Sequence, residues 1–163
     1  MAQLTAEYVH NIARQCIVAT DYCFMITLNA QPGQAPDSRL MQPFAPEADL
    51  TIWFGASPRS RKVAQLRQHN QITVCYQTPT EPAYVTLLGT AHLEDDLALR
   101  QHYWRDDWLP FFPAGPAGDD YLLIKFVPTR IEVMHFAHEV APDPYGLKPV
   151  TLVRAGNNWQ IEA

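Results

Sequence analysis

The sequence predicts a mostly β fold of the α+β class: an antiparallel barrel with a few short helices at its margins. Two observations predict it. Apolar runs of strand length recur along the 163 residues, separated by turns rich in Pro and Gly. Those runs mostly follow one another directly, whereas a doubly wound parallel sheet needs strands alternating with helices.

The elements follow in order. A first helix is expected over residues 5–16, with Thr5 as N-cap and Glu7 in the positive first turn. Leu4, Tyr8, Ile12 and Cys16 recur there at helical spacing. The pattern then becomes a strand-like apolar run over 16–30, broken by Asp21 and closed by the turn QPGQAPD. Residues 38–44 and 50–55 read as the next strands, with APEAD between them. A second helix is expected over 57–69, with Ser57 as N-cap, Pro58 at the first helical position and Asn70 closing it. Val63 and Leu66 would face inward. Ile72, Val74 and Tyr76 alternate with polar neighbours, the period of a strand with one buried face.

TPTEP is a loop, and 84–93 is a longer strand in which Gly89 marks a bulge or a close backbone approach. Asp95 or Asp96 would cap a third helix carrying Leu97, Gln101, Trp104 and Trp108. The run PFFPAGPAGDD is too rich in Pro and Gly for regular structure. Strands over 121–127, 131–136 and 150–153 close the chain. The count is seven or eight strands and three short helices in one domain, 1–163, with its core in about 5–136 and a C-terminal extension over 137–163.

Composition narrows the function. Apolar residues make up 47% and charged residues 18%, a globular balance. A net charge of −5 argues against non-specific nucleic-acid binding, which needs a broad basic surface. No apolar stretch approaches the roughly 18 residues of a membrane span, and the first residues lack the pattern of a secretory signal. The three cysteines, Cys16, Cys23 and Cys75, lie in apolar stretches and read as buried thiols in a reducing compartment. A cytoplasmic location is the expectation.

The chemistry concentrates in one stretch. From Leu50 to Thr80 there is no Asp or Glu, yet four of the 12 cations, Arg59, Arg61, Lys62 and Arg67, fall there. Three of them crowd the expected start of the second helix, the end that is already positive. A bound anion would reverse that cost, with the hydroxyls of Ser57 and Ser60 and the cationic side chains forming a phosphate cradle. A solvated basic helix end is the other reading. Arg39, in an apolar strand, either has a partner or lies at an edge facing water. His135 and His138 would point to opposite faces of a strand, a poor metal pair. The cluster Trp104, Trp108, Phe111 and Phe112 reads as core or dimer contact. No glycine-rich nucleotide loop, nucleophile elbow or zinc-protease motif is present, and no acid–base or nucleophilic constellation marks a catalytic side chain.

Five segments in order resemble the pyridoxamine 5′-phosphate oxidase-like flavoproteins, and among them the general stress proteins. They are SRLM from Ser38, LTIWF from Leu50, SRKVAQL from Ser60, YVTLLGTA from Tyr84 and FPxGP from Phe112. The resemblance spans about residues 5–136. It implies a split antiparallel β-barrel that dimerises and holds FMN at the subunit interface, FAD being a further candidate. It implies that Ser60, Arg61 and Lys62 grip the FMN phosphate with help from Arg39. Main-chain groups of Leu40, Met41 and Gln42 would line the isoalloxazine edge, and Trp53 and Phe54 would wall the ribityl chain. Tyr84 and the region of Trp108 would come from the second subunit. The implied activity is a flavin-dependent oxidoreductase of unknown substrate, linked to stress response and served by a small-molecule electron donor or acceptor. Two alternatives stand beside it. One is a flavin store or sensor without turnover; the other is a barrel holding deazaflavin or haem, with His92 or His135 as ligand. The chain ends NNWQIEA, without the Arg that binds substrate phosphate in the true oxidases, and Met134 stands where many relatives carry Trp. Both departures speak against pyridoxal phosphate synthesis.

Overall fold

The computed structural model describes residues 4–141 and 148–162. Helix α1 (Ala6–Val18) starts where Thr5 accepts a hydrogen bond from the Tyr8 backbone N–H at 3.2 Å. Its buried stripe is Val9, Ile12, Ala13, Cys16 and Ile17. The expected face is therefore rotated: Tyr8 is exposed and Val9 takes the inward place. The helix also runs on through Val18, where a strand-like run was expected, because Cys16 and Ile17 continue its i, i+4 stripe.

Eight strands follow: β1 (Cys23–Thr27), β2 (Asp37–Met41), β3 (Ile52–Ala56), β4 (Gln71–Gln77), β5 (Ala83–Glu94), β6 (Leu122–His135), β7 (Val150–Ala155) and β8 (Asn158–Ile161). They form one antiparallel sheet in the order β2-β1-β4-β5-β6-β7-β8, with β3 also paired to β6. The sheet is not closed. Beyond the end of β2, the backbone N–H of Phe44 donates to the Trp53 carbonyl at 2.9 Å, so the chain turns from one sheet edge to the other.

Two separate strands were expected over 121–136; the protein has one, β6, of 14 residues. Its outer edge is shared, with residues 122–126 pairing β3 and residues 130–133 pairing β7. Pro128 falls in the gap between those partners, where a missing N–H leaves no ladder bond unmade. On the other edge the register to β5 shifts between Leu88 and Gly89, so the bulge expected at Gly89 is present. A Cβ on Gly89 would lie 2.2 Å from the Val127 carbonyl oxygen, so only glycine lets β5 pass so close. β8 was not expected; it turns back on β7 and sets Trp159 against the core.

The second helix is much shorter than expected. Ser57 to Ser60 forms a turn, closed by the Ser60 N–H on the Ser57 carbonyl at 3.0 Å, with Pro58 at its second position. Helix α2 (Arg61–Leu66) begins only after it, so Ser60 and not Ser57 is the N-cap, and Arg59 lies outside. The third helix, α3 (Leu97–His102), is capped by Asp96, which accepts from the Leu99 N–H at 2.9 Å. It stops before Trp104, and Trp108 sits in a separate 3-10 turn, Asp106–Trp108.

The main core packs α1 against the inner faces of β1, β4, β5 and β6, with Met25, Val74, Leu87 and Ile131 in one cross-strand row. Each such side chain contributes about 1.5–3 kcal/mol through burial. A second cluster, Trp53, Trp108, Tyr121 and Leu123, lies under α3 and the Pro-rich loop, with Trp104 and Phe112 packed on it. Phe111, expected in that group, is exposed.

Candidate functional site

At the β2 edge of the sheet, side chains from β1, β2 and α2 converge. Alternation along β2 turns Asp37, Arg39 and Met41 to the inner face and leaves Ser38 and Leu40 outside. Arg39 pairs in register with Met25, and its guanidinium donates to the Met25 carbonyl at 3.2 Å and to Thr27 Oγ1 at 2.7 Å. It also donates to Gln65 Oε1 at 3.2 Å. Arg39 thus has partners, and of its two expected settings the paired one holds. Thr27 donates to the same Gln65 oxygen at 2.6 Å, and the Gln65 amide nitrogen donates to Asp37. These bonds lock a buried glutamine, and through it Arg39, into one arrangement.

Arg61 and Lys62 open α2 beside this network. Arg61 is largely exposed and its Nε lies 3.4 Å from the Asp37 carboxylate. Lys62 differs. It is half-buried, and among the described residues none accepts a hydrogen bond from its ammonium. Burial, and after it the charge of Arg39, push Lys62 below the usual lysine range. Burial, opposed by Asp37 and reinforced by Arg61, likewise lowers Arg39. Ser60 is the N-cap of α2 yet makes no side-chain cap, and its hydroxyl oxygen is buried without a partner. An unpaired cation beside a second cation, next to an unsatisfied buried hydroxyl, is a setting that a phosphate oxygen completes. The residues present fit a phosphate group. The support no longer comes from helix polarity, since a helix of six residues carries little macrodipole; it comes from these side chains.

The other expected site residues are scattered. Gln42, just past β2, accepts from Trp108 Nε1 at 3.3 Å, so these two meet within one chain. Met41 is buried and Leu40 is exposed. Trp53 is buried, stacks on Tyr103 at 4.7 Å between centroids and donates its Nε1–H to Glu47 at 2.7 Å. The Phe54 ring is wholly inside the main core, so toward a ligand this residue offers backbone and not its ring. Tyr84 stands apart, on the outer face of the sheet. There it lines an apolar cavity of about 640 Å³ with Phe24, Cys75, Thr86 and Met134. The cradle and this cavity therefore lie on opposite faces of the same sheet.

Three residues of the cradle network, Thr27, Asp37 and Gln65, escaped sequence reasoning as functional candidates. Gln65 had a signal: it follows Lys62 by three positions, so both lie on one side of α2. Asp37 looked like part of a turn, and only the register to Thr27 brings it to the cations.

The histidines are closer than expected. His135 ends β6 and His138 follows in a turn, so their rings meet at 4.3 Å between centroids instead of pointing apart. His135 Nε2 lies 3.3 Å from Glu81, and burial is the main cause holding its pKa below the usual value. Cys16 and Cys23 are buried as expected, while Cys75 is half-buried at the cavity. Among the described residues no group of three or more His, Cys, Asp or Glu could hold a metal ion, and no helix is long and apolar enough to cross a membrane.

Fold and site together define a class: an open antiparallel barrel with an anion cradle where its β2 edge meets α2. The chain belongs to the pyridoxamine 5′-phosphate oxidase-like family, whose model matches residues 9–139. Solved structures share the fold. A protein from Clostridium acetobutylicum related to general stress protein 26 superposes with a TM-score of 0.72 at 18% identity, covering 90% of this chain and 95% of its own. A pyridoxamine 5′-phosphate oxidase-related, FMN-binding protein from Nostoc punctiforme gives 0.69 at 18% identity, covering 97% and 93%. General stress protein 26 from Bacillus anthracis gives 0.66 at 20% identity, covering 78% and 94%. No curated protein matches the chain. The family match stops before β7 and β8, although the Nostoc structure extends across nearly the whole chain.

Proposed function

We propose that this protein binds FMN, with the flavin phosphate held by Lys62, Ser60 and Arg39 and approached by Arg61, and that it works as a cytoplasmic flavin-dependent oxidoreductase. One observation carries the reading: a half-buried Lys62 ammonium without an acceptor, beside Arg39 and an unsatisfied Ser60 hydroxyl. Family membership and the FMN-binding Nostoc structure support the choice of FMN among phosphate esters. When bound, FMN supplies hydride and single-electron transfer. The chain's own residues bind and orient: the cradle fixes the phosphate, and Gln65 keeps the Arg39 guanidinium aimed at it. Pyridoxal phosphate synthesis does not fit, since the C-terminal strand β8 lacks the arginine that the reaction's substrate phosphate would need.

A homodimer belongs to the same reading. Within one chain the cradle and the aromatic cavity around Tyr84 face opposite ways, so one ligand reaches both only across two subunits. The outer sheet face also exposes Phe24, Leu40 and Tyr84, apolar surface suited to burial against a second copy.

The test is a titration with FMN and with riboflavin, followed by flavin fluorescence. Lys62→Ala removes a charge-assisted bond of about 1.5–3 kcal/mol and should weaken FMN roughly ten- to a hundred-fold. Riboflavin, which has no phosphate, should bind both proteins alike. Equal FMN affinity in the variant would overturn the cradle assignment, and elution at the monomer mass of 18.5 kDa would overturn the shared site. Anaerobic bleaching of the bound flavin by NADH or NADPH supports the oxidoreductase; a flavin inert to both reduces the protein to a flavin store or sensor.

A further inference from the structure

The cradle contains a carboxylate that a phosphate site does not need. Asp37 lies 3.4 Å from Arg61 Nε, accepts from the Gln65 amide nitrogen and acts electrostatically on Arg39. Of the three cations, Arg61 is engaged by Asp37, Arg39 is held by Thr27, Gln65 and the Met25 carbonyl, and Lys62 alone is free of partners. Three cations facing one carboxylate leave the cradle with two positive charges. That is the charge of a phosphate monoester once its second proton is lost, about −1.5 to −2 near neutral pH.

We infer that Asp37 is a specificity-determining residue, whose carboxylate holds Arg61 and sets the cradle's charge so that a dianionic phosphate monoester is preferred over a monoanionic or diester phosphate. The inference rests on the proposed phosphate role of the cradle. An incoming phosphate must draw Arg61 from Asp37 and must tolerate the carboxylate behind it. A dianion meets both costs through Lys62 and Arg39; a monoanion gains less from the same cations and still faces Asp37. A pyrophosphate, with one charge on each phosphorus, is in the monoanion's position, so the carboxylate also favours FMN over FAD.

Asp37→Asn tests this, because the amide oxygen still accepts from Gln65 while the charge is gone. The probes are FMN, FAD, riboflavin and inorganic phosphate as competitor, titrated across the second phosphate ionisation at about pH 6. Wild-type affinity for FMN should rise with pH through that ionisation. In Asp37→Asn, FMN should bind about tenfold tighter, the pH dependence should flatten and the FMN-to-FAD preference should shrink. Asp37→Glu, which keeps the charge, should restore the wild-type pH profile, and riboflavin should bind all three proteins equally. Wild-type FMN binding with no gain in Asp37→Asn overturns the role of Asp37 alone. Failure of the wild type to bind either FMN or inorganic phosphate overturns the cradle reading and this inference with it. A change in riboflavin affinity in Asp37→Asn shows that the residue acts through the fold, and likewise overturns the assignment.

Discussion

Gly89→Ala should damage this fold far more than Gly33→Ala, although each substitution adds one methyl group. At Gly89 the new Cβ would stand 2.2 Å from the Val127 carbonyl oxygen, 2.7 Å from Pro128 Cα and 2.9 Å from the Val127 carbonyl carbon. Non-bonded carbon contacts settle at about 3.5–4.0 Å, so the overlap is on the order of 1 Å. All three obstructing atoms are backbone, and no rotamer change moves them aside. Relief requires β5 and β6 to separate, and these strands are paired from Ala83 opposite His135 to Glu94 opposite Leu123, the longest ladder in the sheet. Overpacking costs about 1–3 kcal/mol, and a backbone obstacle places this case at about 3 kcal/mol. For a chain of this size each kcal/mol lowers Tm by about 2–4 °C, so a drop of about 6–12 °C is expected. Gly33→Ala is the control: φ is +79° there and nothing lies within 4 Å, leaving only the left-handed backbone cost of about 1 kcal/mol. Thermal and urea unfolding of both variants decides the matter. A Gly89→Ala melt within about 2 °C of the wild type, or a larger loss in Gly33→Ala, would refute the steric account of the bulge.

Alkylation under native conditions should modify Cys75 first, because it is half-buried while Cys16 and Cys23 are buried. Burial pushes the latter two thiols up to about 11 and about 12, so little thiolate forms at neutral pH. Mass spectrometry of a timed iodoacetamide reaction checks the order, and early label on Cys23 would contradict it. The Asp49–Arg154 ion pair, 2.7 Å long, ties β7 to the turn before β3. Burial raises the Asp49 carboxyl, but hydrogen bonds from Arg154 and from Thr51 outweigh it and hold the group below its usual value. A depressed folded pKa gives stability that is present above the unfolded value and lost as pH falls through the folded one. Wild type should therefore lose more stability than Arg154→Ala between about pH 5 and pH 3. The difference should be small, about 0.5 kcal/mol, since Asp49 is 43% exposed and solvent screens it. Equal acid sensitivity in urea melts of both proteins would rule the pair out as a contributor.

Elements with one clear local signal were legible in the sequence: the Thr5 cap of α1, the alternation of β4, the bulge at Gly89 and the irregular Pro-rich loop. Misreadings came where two local patterns overlap. Cys16 to Val18 suits a strand as well as a helix, and only packing on the sheet extends α1 through them. Pro128 looked like a break between strands, yet β6 runs through it because its edge partners change at that point. Ser57-Pro58 looked like a helix start, and the same two residues serve equally well in the turn that delays α2.

The sequence alone determined that this is an antiparallel β protein of the pyridoxamine 5′-phosphate oxidase-like family and that positive charge gathers around residues 59–62, because composition, strand period and segment order are local properties of the chain. Only the tertiary structure decided which cation is left without a partner. Arg39, Arg61 and Lys62 carry the same formal charge, and strand register brings Thr27 and Asp37 to two of them and nothing to the third. A side chain's electrostatic surroundings are set by residues distant in sequence, so the role of Lys62 emerged from the folded chain and not from its neighbours along it.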